Sequence, residues 1–170
     1  PYFHPLCTVS GQVLSQDQPP DHVWHHGLWF SWKFIDGVNY WEPNPRTRRP
    51  DGRTSWSEPV VQTREDGPAV ISMHLEYGPA SGGQTVLREQ RRIELAAPDS
   101  HRGQYHVDWI SSFTAPGADV VLDRTPPKEQ LSGGYAGLSL RFAPHFTERS
   151  AVTTAQVVPF GVGGRYRGRA

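Results

Sequence analysis

The sequence predicts an all-β fold, an antiparallel β-sandwich forming one domain over residues 1–170, and three observations carry that prediction. Glycine and proline occur 17 and 16 times, so often that no window keeps the three-to-four-residue apolar period of a helix for a helix's length. Short runs rich in β-branched and aromatic residues recur between these breakers, several with apolar and polar residues alternating. Two of the Asp-Gly pairs, Asp36 with Gly37 and Asp66 with Gly67, favour the positive backbone angles of tight hairpin turns. A chain of 170 residues is long enough for one real core and short for two.

The expected strands follow in order. Residues 27–35 and 38–42 flank Asp36 and Gly37 as a hairpin, and Asp66 with Gly67 separates a run ending near Arg64 from a strand over 69–77. Further strands are expected over 84–95, 104–114, 119–122 and 135–142. Residues 44–53, with four arginines among breakers, read as a connection with no regular structure, either a solvated loop or an anion-binding one. Residues 124–134 read as a second long connection, of the kind that often covers a cleft.

Alternation assigns the faces. Tyr105, Val107, Trp109 and Phe113 belong to the core side of their strand, which sends His106, Asp108 and Ile110 to the other side. In the preceding strand Leu87, Ile93 and Leu95 share a face with Glu89 and Arg91. Glu89 therefore requires a partner or a raised pKa, and an internal ion pair with Arg91 competes with a catalytic role for it.

Composition removes several function classes. Lysine and arginine match aspartate and glutamate, 17 against 17, so no net field draws the chain to nucleic acid or an anionic membrane. The longest apolar runs, such as 27–30 and 134–140, fall far below the roughly 20 residues of a membrane span. Cys7 is the one cysteine, which excludes an internal disulfide and a multi-cysteine metal site and leaves burial as its natural role. No phosphate-cradling loop, dinucleotide fingerprint or Gly-x-Ser-x-Gly elbow is present. The chain opens on Pro1 with no leader pattern ahead of Tyr2, and reads as a processed or partial product.

The chemistry concentrates in residues 21–32, where Asp21, His22, His25 and His26 stand beside Trp24, Trp29 and Trp32. Imidazole moves protons near neutral pH and binds metals, and indole offers a flat apolar face for ring-shaped ligands. A metal site is one reading, although adjacent His25 and His26 point to opposite sides of an extended segment. Paired acid and base chemistry is another: opening a sugar hemiacetal takes a base for the anomeric hydroxyl and an acid for the ring oxygen, and His25, His26, Glu89 and Asp108 are the available groups. Histidines serving only packing or the surface are the third.

Several blocks in order resemble a bacterial family of unknown function labelled PmoA-like, or "methane oxygenase PmoA". They are Pro1 to Leu6 with His4, Pro20 to His22 with His25 to Phe30, Asp36 to Trp41, and Gly133 to Leu138 with Tyr135. Methane oxidation itself is rejected, since it belongs to a multi-span membrane protein. The resemblance implies a galactose-mutarotase-like β-sandwich, and thus carbohydrate binding or sugar epimerisation, mutarotation or lyase-type chemistry by analogy of fold. It also implies a longer protein, with this chain lacking C-terminal strands. Val23 and Trp24 stand where similar sequences commonly have Pro and His.

The expected site therefore has His25, His26, Glu89 and Asp108 as catalytic groups, with His4, Asp21, His22, Trp29, Trp41 and Tyr135 binding ligand and no metal. Its ligand is a small molecule or oligosaccharide, with no cofactor, compartment or oligomeric state assigned. A histidine-dependent metal-binding protein or oxidoreductase, and a non-catalytic module binding glycans or a protein, are the alternatives.

Overall fold

A computed structural model describes residues 1–65, 67–126, 136–147, 150–152 and 157–159. These residues form thirteen strands and no helix: β1 (Tyr2–Phe3), β2 (Leu28–Trp32), β3 (Phe34–Ile35), β4 (Val38–Asn39), β5 (Gly52–Trp56), β6 (Val60–Gln62), β7 (Ala69–Pro79), β8 (Leu87–Leu95), β9 (Val107–Thr114), β10 (Leu122–Asp123), β11 (Ala136–Leu140), β12 (Ser150–Val152) and β13 (Val157–Pro159). All pairing is antiparallel. The predicted all-β, antiparallel sandwich is the architecture observed.

One layer is a five-stranded sheet in which β7, β8 and β9 lie side by side while β5 and β6 pair with successive halves of β7. Its two longest strands alternate as the sequence requires. Met73, Leu75 and Tyr77 are buried with exposed His74 and Glu76 between them, and Leu87, Glu89, Arg91 and Ile93 are buried while Arg88, Gln90 and Arg92 face out. Against this inner face lie two three-stranded sheets, β1-β2-β11 and β10-β3-β4. Ile35 joins Met73, Leu75, Tyr77 and Leu87 in the central cluster, with Trp32, Tyr40, Phe113 and Leu122 packed on it. Each fully buried aliphatic side chain here contributes about 1.5–3 kcal/mol relative to exposure.

The expected hairpin at Asp36 and Gly37 is present, with Ile35 opposite Val38 and φ of 49° and 73° at the two turn residues. The strand expected over 27–35 is divided at Lys33, where the chain passes from one small sheet to the other. Lys33 is buried and its Nζ donates to Glu42 Oε1 at 2.7 Å, which gives the ammonium its partner. The expected 38–42 strand stops at Asn39 because Asn39 Oδ1 accepts from the amides of Trp41 and Glu42, both at 2.9 Å.

Residues 44–53 were expected to lack regular structure, yet Gly52 and Arg53 open β5. Pairing with β7 decides this, since the segment from Gly52 to Trp56 has no apolar alternation of its own. Strand starts at 84, 104 and 119 fall later, at Leu87, Val107 and Leu122, and strands β1, β12 and β13 have no expected counterpart. Asp66 and most of the 124–134 connection lie outside the described residues.

Candidate functional site

The histidine block is folded into a corner. The amide of Gln18 donates to His25 O at 2.8 Å, His25 N to His22 O at 2.9 Å and Gly27 N to Gln16 O at 3.0 Å, while Asp17 bridges His26. This pairing sends the adjacent imidazoles to different neighbours. His25 is buried, stacked on His22 at 4.6 Å between centroids and 5.2 Å from Trp29. His26 stacks instead on Tyr2 at 4.6 Å and shares its Nδ1 with Asp17 Oδ1 at 2.7 Å. Gly27, with φ of 56°, turns the chain from this corner into β2.

Charge around the corner is arranged by Arg141, which reaches back from just after β11. Its Nη2 donates to both oxygens of Asp21 at 2.7 and 2.6 Å, and His22 Nδ1 lies 2.9 Å from Asp21 Oδ2. The Arg141 hydrogen bond, then that of His22, holds the Asp21 carboxyl at about 2. His25 is lowered from 6.5 to about 4, first by burial and then by the charges of His22 and Arg141. It is a neutral imidazole at physiological pH.

That shift predicts acid sensitivity. Between pH 6.5 and about 4 the unfolded chain binds a proton at residue 25 that the folded chain refuses, so stability falls as the pH drops through this window and levels off below it. Urea midpoints at pH 7, 5.5 and 4.5 should decline, and His25→Phe should flatten the decline. An unchanged slope in that variant would refute the assignment.

A cavity of about 180 Å³ opens beside the corner, between β2 and the inner face of the five-stranded sheet. Tyr2, His26, Trp41 and Trp56 line it, with Tyr2 and Trp56 about half exposed and so at its mouth. Trp29 and Trp41 are nearly parallel within it, 15° apart with centroids at 6.0 Å. Its depth is formed by Ser31, Trp32, Tyr40, Leu75, Tyr77 and Arg91. Tyr40 lies flat over β5 because residue 52 is glycine; a Cβ there would sit 2.5 Å from the ring. Among the described residues, the buried Ser31 Oγ, Trp32 Nε1, Tyr40 Oη and Arg91 Nη1 have no hydrogen-bond partner.

Beneath the cavity Glu89 and Arg91 form a buried pair, each 1% exposed. Arg91 Nε donates to Glu89 Oε1 at 2.6 Å and Nη2 to Oε2 at 2.9 Å. Ser111 Oγ adds a bond to Oε1 at 2.7 Å, and the Tyr77 hydroxyl donates to Oε2. Burial, then the Glu89 charge, push the Tyr77 phenol far above its ordinary range, so it stays a donor. The guanidinium is also covered by Trp109 at 4.9 Å and Phe30 at 5.8 Å.

The expected site residues are thus distributed over four places. His26, Trp29 and Trp41 line the cavity, with Glu89 immediately behind it through Arg91 and Tyr77. His22, His25 and Asp21 form the adjoining corner. His4 is exposed and bonds Ser15 Oγ through Nδ1 at 2.9 Å, away from the cavity lining. Asp108 faces out on β9, opposite Glu94, on the other side of the sheet from Glu89. Tyr135 lies outside the described residues.

No three histidine, cysteine, aspartate or glutamate side chains gather as a metal-ligating group among the described residues. Nor is any helix there long and apolar enough to cross a membrane. Sequence reading missed Asp17, Ser31, Tyr40, Trp56 and Arg141. Of these, only Tyr40 and Trp56 carried a signal, as aromatics near a turn and in a polar run. A second, larger cavity of about 600 Å³, mostly apolar and lined by Phe3, Leu28, Ile93 and Leu95, contains none of the expected site residues.

A family model of unknown function, DUF6807, matches residues 1–159. The chain belongs to the DUF6807 family. Every residue of the corner and the cavity lies within the matched DUF6807 region, whose description assigns no reaction and no ligand. Among curated proteins and solved structures nothing matches this DUF6807 chain.

Proposed function

We propose that this DUF6807 protein binds a carbohydrate in the aromatic cavity beside the histidine corner. The observation that carries the reading is the lining itself: the rings of Tyr2, Trp41 and Trp56 towards the mouth, with the His26 imidazole and the Thr54 side chain beside them. Sugars present apolar C–H faces to aromatic rings and oxygens to hydrogen-bonding groups, so they satisfy both halves of such a lining. The volume of about 180 Å³ corresponds to about six waters of bulk liquid, a space on the scale of one sugar ring.

A mutarotase-like sandwich, which the sequence resemblance implies, would suit the same ligand class by analogy of fold. Support for His26 as the proton-transfer group is that it lines the cavity while Asp17 holds its Nδ1 at 2.7 Å. Tryptophan fluorescence titrated with monosaccharides and short oligosaccharides should show saturable quenching. Trp41→Ala should weaken binding about tenfold, the scale of one lost aromatic contact. Absence of any response across the panel would sink the proposal.

A further inference from the structure

We propose that the ligand is an acidic polysaccharide, one ring of which fills the aromatic cavity while charged units beyond it run over the arginine loop of residues 43–53. This rests on the carbohydrate reading above and extends it past the cavity. The chain as a whole is balanced, with 17 basic against 17 acidic residues, yet Arg46, Arg48, Arg49 and Arg53 crowd one short segment whose only acid is Asp51. All four are exposed. None of their guanidinium groups has an ion pair or a hydrogen bond among the described residues, whereas Arg88, Arg91, Arg92, Arg102 and Arg141 each lie against a carboxylate. Arg64 and Arg124, also without one, stand singly along the chain.

The loop keeps its shape without those side chains. The Asn44 amide donates to Arg49 O at 2.9 Å and Arg48 N to Asn44 O at 2.8 Å, which closes the turn that carries three of the arginines. Asn44 Oδ1 accepts from Arg46 N, and its Nδ2 donates to Asp51 Oδ1, both at 2.9 Å. Glu42, just ahead of the loop, is held by Lys33 at 2.7 Å. Like charges on one closed turn repel one another, and a partner with repeated anionic groups relieves that at several positions together. The loop also belongs to the cavity's margin. The chain leaves the lining at Trp41 and re-enters it at Thr54 and Trp56, and the Tyr40 ring lies against Gly52 where the loop ends. A polymer with one ring among Tyr2, Trp41 and Trp56 is thus continued beside the arginines. Each exposed charge pair is worth only a few-fold in affinity, roughly fivefold at most, so preference for the charged form should grow with the length of the oligomer.

The test is calorimetric titration of the whole chain with short linear galacturonate oligomers beside their methyl-esterified form, and with sulfated galactan oligomers beside their desulfated form. These arms separate carboxylate from sulfate. At low salt at least one charged oligomer should bind about tenfold or more tightly than its uncharged counterpart, and salt at about 0.5 M should remove most of that preference. Monomeric galacturonate should stay within about fivefold of galactose. Combining Arg46→Gln, Arg48→Asn and Arg49→Gln, with asparagine chosen to suit the φ of 60° at residue 48, should cut the preference about tenfold. Neutral-oligomer affinity and the thermal midpoint should not move, since none of the three lines the cavity. Charged and neutral oligomers binding alike, a preference untouched in the triple variant, or a polythymidylate or polyglutamate of equal charge binding as tightly would overturn the acidic-polysaccharide inference and leave the carbohydrate reading intact. No binding of any sugar would overturn both.

Discussion

Replacing Arg91 by methionine is expected to remove about 3–5 kcal/mol of stability, the penalty for stripping one partner from a buried ion pair. Glu89 would remain 1% exposed with two of its four hydrogen bonds gone. The loss of the guanidinium also removes the cation stacked on Trp109 at 4.9 Å. Against a typical reserve of about 5–15 kcal/mol, such a loss brings the protein near its unfolding threshold. Urea denaturation measures it directly. Glu89→Gln should cost less than Arg91→Met, because an amide keeps one acceptor for Arg91 and leaves no bare anion. The double change Glu89→Leu with Arg91→Met should recover part of the loss, as paired apolar replacements of buried ion pairs often do. A loss under about 1 kcal/mol for Arg91→Met would mean that water reaches the pair.

Gly27→Ala is expected to cost more than about 2 kcal/mol, from two separate sources. Its φ of 56° is unfavourable for any residue with a Cβ, and that Cβ would lie 2.2 Å from the Phe3 carbonyl oxygen and 3.0 Å from the His4 Cβ. β1 would have to leave β2, taking Tyr2 from its stack on His26. Gly37→Ala isolates the first source, since its φ is 73° but a Cβ there meets nothing within 4 Å. About 1 kcal/mol is the scale for that turn. Thermal midpoints of both variants give the difference, and equal shifts would show that β1 yields without penalty.

How far the sequence could be read depended on whether a residue's role was local. The Asp36 and Gly37 hairpin and the alternation of β8 and β9 follow from backbone preference and period, and both stand as expected. The same period placed Glu89 and Arg91 on the buried face and Asp108 on the outer one. It could not reveal that Ser31, Tyr40 and Arg91 share a cavity, because β2, the segment after β4 and β8 meet only through the packing of separate sheets. Nor could it find the clasp of Arg141 on Asp21, a contact spanning 120 positions. β5 stayed hidden for a related reason: Gly52, Arg53, Thr54 and Ser55 are a strand only because β7 offers them an edge.

The sheet that holds the histidine corner joins the beginning of the chain to its far part: Tyr2 lies opposite Trp29, and Trp29 opposite Ser139. On a ribosome adding about 5–20 residues per second, β2 therefore waits roughly 5–20 s for the strand that completes its pairing. During that interval Leu28, Phe30 and the two tryptophans of β2, Trp29 and Trp32, are without their final cover, the condition under which nascent β segments associate wrongly. The five-stranded sheet, built from neighbours in the chain, is able to form first and receive them. Yield of folded protein should then depend on synthesis rate and chaperone supply more than its equilibrium stability suggests.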